Sequence, residues 1–157
     1  MTLMHKSLPW LLVLSLALIG CTAHRLTGAE ETAVRFYKTL WVEANEKEAG
    51  QMMFDHNRTR EISAVAEDVR SVPNDNKPIL VTKSPTESQV RFQTVLIHRP
   101  SDKKDFKIQL RHTGREWKVI RFQRNYDPHR GGYNSFETYQ RLSREYPELR
   151  WKRISQP

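Results

Sequence analysis

Residues 105–112, DFKIQLRH, alternate strictly, with Phe106, Ile108 and Leu110 on one side and Lys107, Gln109 and Arg111 on the other. That period of two belongs to a β-strand with one face on a core and one toward water. Residues 115–124, REWKVIRFQR, follow Thr113-Gly114, which fits a two-residue hairpin loop. With that loop Leu110 faces Trp117, Ile108 faces Val119 and Phe106 faces Arg121, so the inner pairs are apolar. Upstream, residues 79–83 (ILVTK) and the longer 88–98 (SQVRFQTVLIH) are also strand-like. Together these predict an antiparallel sheet of about four strands.

The segments before the sheet carry a different period. Residues 29–45 place Ala33, Val34, Tyr37, Leu40, Trp41 and Ala44 at helical spacing, with Glu30 and Glu31 in the first turn, where the helix dipole favours them. Residues 46–54 predict a second short helix. Residues 58–70 predict a third, with Ile62, Val65, Ala66 and Val69 on one face. SVPNDNKP then interrupts the pattern with turn residues. After the sheet, residues 135–146 predict a last helix, with Asn134 and Glu137 spaced as a capping box. The predicted fold class is α+β: N-terminal helices packed on a curved antiparallel sheet, plus an extra C-terminal helix.

In this register Val95, Ile97, Ile120 and Phe122 form an apolar strip on the outer face, among Arg91, Lys107, Arg111 and Lys118. Two readings stand side by side: the last helix covers the strip, or the strip docks a partner.

The first 20 residues place Lys6 before a 12-residue apolar run, Leu8 to Ile19. A membrane-spanning helix needs about 20 apolar residues, so these proportions are those of a cleaved signal peptide. Leu18-Ile19-Gly20-Cys21 closes the run, and Cys21 is the only cysteine of the 157 residues. The four residues resemble the bacterial lipobox. That resemblance implies cleavage before Cys21 and acylation of the cysteine, and several acyl chains on one residue anchor stably. Thr22, not Asp, follows the cysteine. Under the sorting rule the resemblance carries, this implies the outer membrane, with the domain facing the periplasm. The expected organisation is a signal peptide over 1–20, a tether over 21–28, an α+β domain over 29–124 and a basic loop, helix and tail over 125–157.

Gly114-Arg115-Glu116-Trp117-Lys118-Val119, late in a sheet that follows helices, resembles the nuclear-transport-factor-like cone. The resemblance implies a long first helix laid across a curved sheet. It also implies a cavity at the cone's mouth, which in some members is an active site and in many only a binding site. The cavity candidates are Tyr37, Asp55, His98 and His112. His98 and His112 share the inner face if His98 pairs with Phe106 and Phe92 with His112. No spacing selects an acid–base pair among the four. The remaining histidines are scattered with no metal-ligand spacing, and there is no phosphate loop, nucleophile elbow or dinucleotide fingerprint. The expectation is therefore no catalytic residue, no metal and no cofactor.

Charge is uneven: residues 21–70 hold 7 basic and 9 acidic side chains, and residues 71–157 hold 18 and 9. A solvated surface is the plain reading of that excess. The functional one is a surface for an acidic envelope protein or for anionic lipid head groups; nucleic acid is not expected at an envelope. The candidate partner residues are Arg111, Phe122, Tyr133, Arg150, Trp151, Lys152 and Arg153. Tyr133 lies in a Tyr-, Arg- and Gly-rich loop, and the last four lie in a tail that is an edge strand or an interaction tail. The expectation is a membrane-anchored, noncatalytic accessory module for secretion, envelope assembly or immunity. The competing expectation is a small-ligand binder or acid–base enzyme that uses the cavity.

Overall fold

The computed structural model describes residues 25–72, 76–124 and 138–157. Four α-helices, α1 (Gly28–Tyr37), α2 (Glu46–Met52), α3 (Thr59–Arg70) and α4 (Tyr139–Glu145), accompany five strands. The strands are β1 (Ile79–Lys83), β2 (Phe92–Arg99), β3 (Lys104–His112), β4 (Trp117–Arg124) and β5 (Lys152–Ile154). They form one antiparallel sheet in the order β4-β3-β2-β1-β5. The class is α+β as expected, with five strands rather than about four. The tail supplies the fifth, pairing Val81 with Lys152, Leu80 with Arg153 and Ile79 with Ile154. None of the described helices is long and apolar enough to cross a membrane.

The first helix is shorter and less regular than expected. After Tyr37 it widens into a π-helical turn over Lys38–Val42, and Ala44 then takes a positive φ of 50°. Thr39, Leu40, Trp41 and Val42 are all buried. Four consecutive residues cannot share one face of an α-helix, whose apolar stripe recurs every third or fourth position. The wider turn lets all four point into protein. Trp41 then meets Phe36 edge-on at 5.9 Å, and Phe106 and Phe122 at 4.9 and 5.7 Å.

The strand registers correct two expectations. The β3–β4 loop is Gly114-Arg115, one position later than expected, closed by the Thr113 N–H donating to the Glu116 carbonyl at 2.9 Å. His112 therefore pairs with Trp117 and Leu110 with Val119. A bulge beside Gln109 and Leu110 then leaves Ile120 as an extra residue, so that Ile108 pairs with Phe122 and Phe106 with Arg124. The extra residue turns Phe122 from the outer face to the inner one, where it is buried. Between β2 and β3, Phe92 pairs with Arg111, Ile97 with Phe106 and His98 with Asp105. A one-residue offset exchanges the two faces of a strand. Val95 and Ile97 thus enter the core, while Leu96, His98 and Phe92 face outward. The core prefers this register because it buries two β-branched side chains against Phe106 and Ile108. α4 does lie over the outer face, but over His98 rather than over the expected strip: the Tyr139 ring stacks on the His98 ring at 4.2 Å.

Gly114 sits at φ +99°, a conformation that a Cβ strains. Gly114→Ala is expected to cost about 1–2 kcal/mol, read as a lower urea midpoint with an unchanged slope.

Candidate functional site

The four cavity candidates are not brought together. Tyr37 is fully buried in the core, edge-on to Phe106 at 4.9 Å. Asp55 is exposed and caps a short 3-10 turn through the N–H of Asn57 at 2.9 Å. His98 lies on the opposite, outer face, its Nδ1 2.9 Å from Asp105 Oδ1 beneath Tyr139. His112 sits at the β3–β4 hairpin, where its Nδ1 accepts the N–H of Gly114 at 3.2 Å. The offset between β2 and β3 is what separates the two histidines. Where an inner cavity was expected, Phe36, Tyr37, Leu40, Trp41, Phe106 and Phe122 fill the space between helices and sheet.

The partner candidates also divide. Arg111 is exposed on the outer face, its guanidinium 4.8 Å from the Phe54 ring and 5.6 Å from the Phe92 ring. Arg150 and Arg153 are exposed, but Trp151 packs edge-on to Tyr139 at 4.9 Å. Lys152 donates to the buried Glu30 carboxylate at 2.6 Å and to the carbonyl of Arg25 at 3.2 Å. Two of the four tail candidates thus hold the tail to the body instead of projecting from it. Cys21 and Tyr133 lie outside the described residues, as does the capping pair Asn134 and Glu137.

The described residues do form a charged cleft, at the end of the sheet where β4 finishes and β2 turns into β3. Its floor is Trp41 and Phe106, and it encloses about 140 Å³. Four cations line it, Lys77, Arg99, Lys104 and Arg124, against two carboxylates, Asp68 and Asp102, which leaves an excess of two positive charges. The β2–β3 turn places Arg99 to bond Asp102 through Nε at 2.9 Å and Nη2 at 2.7 Å. Arg99 Nη1 also donates to the Tyr37 hydroxyl at 3.1 Å, and the guanidinium carbon lies 5.2 Å from the centre of the Phe106 ring. Lys104 adds a 3.3 Å contact to Asp102, and Arg124 reaches Asp68 at 3.0 Å. Beside the charged part, Trp41, Ala64, Val65 and Phe122 form the apolar wall of a groove between α3 and β4, whose remaining lining is Glu61, Asp68, Gln123 and Arg124. Phe122, expected on the outer face, is buried on the inner one and borders this groove. No single motif announces the cleft, because its cations come from three separate stretches of sequence, around 77, 99–104 and 124; the short spacing of Arg99, Asp102 and Lys104 was its one local sign.

The electrostatics decide what the cleft can do. Burial alone would raise the Asp102 carboxyl, but the hydrogen bonds and charges of Arg99 and Lys104 outweigh it and hold the group at about 2. Burial likewise opposes the charge on Arg99, and the bonds to Asp102 and Tyr37 more than restore it, raising its affinity for the proton above the ordinary arginine value. Neither group gains or loses a proton near neutral pH, so the pair can hold charge but cannot relay protons. A carboxyl depressed in the folded state stabilises it above the unfolded value of 3.8, and that stability is lost as pH falls toward 2. Asp102→Asn is therefore expected to flatten the acid limb of the stability profile between those two values, as measured by urea unfolding at successive pH.

Comparison with protein-family models, with curated proteins and with solved structures finds no match.

Proposed function

We propose that this chain is a lipid-anchored, noncatalytic binding module of the bacterial envelope, and that its charged cleft receives an acidic segment of an envelope protein. The observation that carries this reading is the Arg99–Asp102 pair, fixed in charge over an aromatic floor and surrounded by an excess of cations. A preorganised arginine beside an apolar groove wall suits a carboxylate flanked by an apolar side chain. The lipobox-like Leu18-Ile19-Gly20-Cys21 supports the anchor, with the outer membrane as its destination. The helices packed on an antiparallel sheet are in keeping with a nuclear-transport-factor-like cone whose interior has been given over to packing.

Neutralising the rim with Lys104→Gln and Arg124→Gln is expected to weaken co-purification of the envelope partner at least tenfold, as one contact worth about 1.4 kcal/mol would do. An unchanged yield, with the fold intact by circular dichroism, would end this reading. Cys21→Ser is expected to move the chain from the membrane to the soluble fraction and to remove the acyl mass.

The groove beside the cations favours one second reading, a small amphipathic anion in the same cleft. Native mass spectrometry of the chain extracted from envelopes separates the two, since a retained small mass supports only the second.

A further inference from the structure

The charged cleft occupies one end of the sheet, and the opposite end has a different character. There the β3–β4 hairpin and the loop between β1 and β2 come together, as the hydrogen bond from His112 N–H to the Arg91 carbonyl records. Phe54 is 45% exposed, Phe92 43% and Val90 91%, and together with Val72 they are the exposed large apolar side chains among the described residues. Phe54 and Phe92 flank the Arg111 guanidinium. Arg111 pairs across the strands with Lys118, and Arg115 stands at the hairpin tip. Three cations and three apolar side chains thus share one end, and the carboxylates near them are already engaged: Glu116 reaches Lys118 at 3.1 Å, Glu87 of the β1–β2 loop is held by Lys107 at 2.7 Å, and Asp55, next to Phe54, accepts the Asn57 N–H at 2.9 Å. Lys118 also donates to the Gln51 carbonyl at 3.1 Å.

The chain also enters the fold at this end. The first residue of α1, Gly28, lies against Trp117: a Cβ there would sit 3.5 Å from the indole ring. Trp117 adjoins Lys118 and pairs with His112. Only six residues lie between Cys21 and Gly28. The seven Cα–Cα steps that join them reach at most about 25 Å when fully extended.

We infer that this end of the domain docks on the anionic bilayer surface that holds the anchor, with Phe54, Val90 and Phe92 at the head-group boundary and Arg111, Arg115 and Lys118 on lipid phosphates. The inference rests on the anchored reading of Cys21. The short tether favours a lipid surface over a protein, because it keeps this end within reach of the membrane at all times. Exposed aromatic and basic side chains in one patch are the composition that partitions into a charged interface. Docked in this way, the domain turns its charged cleft away from the membrane, toward the periplasm. The anchor fixes the distance to the membrane, and the patch fixes the orientation.

The test uses the mature lipidated chain in vesicles of phosphatidylcholine with about one-third phosphatidylglycerol. A spin label at Val90→Cys reports the patch, and one at Arg153→Cys reports the exposed tail; both positions are solvent-exposed, so the labels leave the core intact. The expected result is that the Val90 label collides with a water-soluble nickel relaxant roughly tenfold less often than the Arg153 label, and that Arg111→Glu with Lys118→Glu abolishes the difference. Equal accessibility of the two labels would overturn the inference and leave the patch to a protein partner. Mass measurement of Cys21 separates this failure from failure of the anchor. If the cysteine carries no acyl group, the same labelled chain is added to vesicles from solution. Protection of Val90 on anionic but not neutral vesicles then supports the patch, and no protection on either overturns it.

Discussion

Phe106→Ala is expected to lower stability by about 4 kcal/mol, a large part of what a domain of this size possesses. Phe106 is nearly fully buried on the inner face of β3, between Ile97 on β2 and Arg124 on β4. Its ring lies 4.9 Å from both Tyr37 and Trp41, and Arg99 covers it from the cleft side. Truncation loses the transfer energy of the ring and opens a void that the π-helical turn and two strands cannot collapse to fill. It also removes the floor of the cleft, so partner binding falls along with the urea midpoint. A loss below about 1 kcal/mol would mean that the interior is loosely filled, and would return weight to an internal ligand cavity.

Lys152→Ala is expected to cost about 3 kcal/mol, well above the worth of an exposed ion pair. Glu30 is 2% exposed, and its carboxylate receives the Thr27 N–H at 2.7 Å and Lys152 Nζ at 2.6 Å. Removing the lysine leaves a buried carboxylate without its counter-charge and frees the β5 strand from α1. If the uncompensated charge causes the loss, Lys152→Met combined with Glu30→Gln recovers most of it, because glutamine still accepts the Thr27 N–H. Thermal unfolding of the single and double variants checks both points. Equal destabilisation of the two would place the effect in strand docking, not in charge.

The legible parts of this sequence were those with a local period. Helices near 29–42, 46–52 and 59–70, and strands near 79–83, 92–99, 104–112 and 117–124, follow from apolar spacing and turn residues. What the spacing could not supply was register. A bulge that adds Ile120 and a one-residue offset between β2 and β3 leave every strand in place, yet they exchange which side chains meet. That is why His98 and His112, expected on one face, lie on opposite faces, and why Phe122 faces the core and groove. The β5 strand is three residues long and rich in charge, so nothing local distinguished it from a free tail. The cleft depends on the same long-range register, since Arg99 and Arg124 converge only once Ile97 pairs with Phe106 and Phe106 with Arg124.

Photo-crosslinking in living cells at both ends of the domain tests most directly whether the cleft is the partner site. A benzoylphenylalanine replaces Lys104 at the cleft rim in one strain and Val90 at the opposite end in another. The expected result is one dominant protein adduct from position 104, lost with Arg124→Gln, and no protein adduct from position 90. A protein adduct from position 90 with none from position 104 would contradict the proposed function and the membrane-facing orientation together.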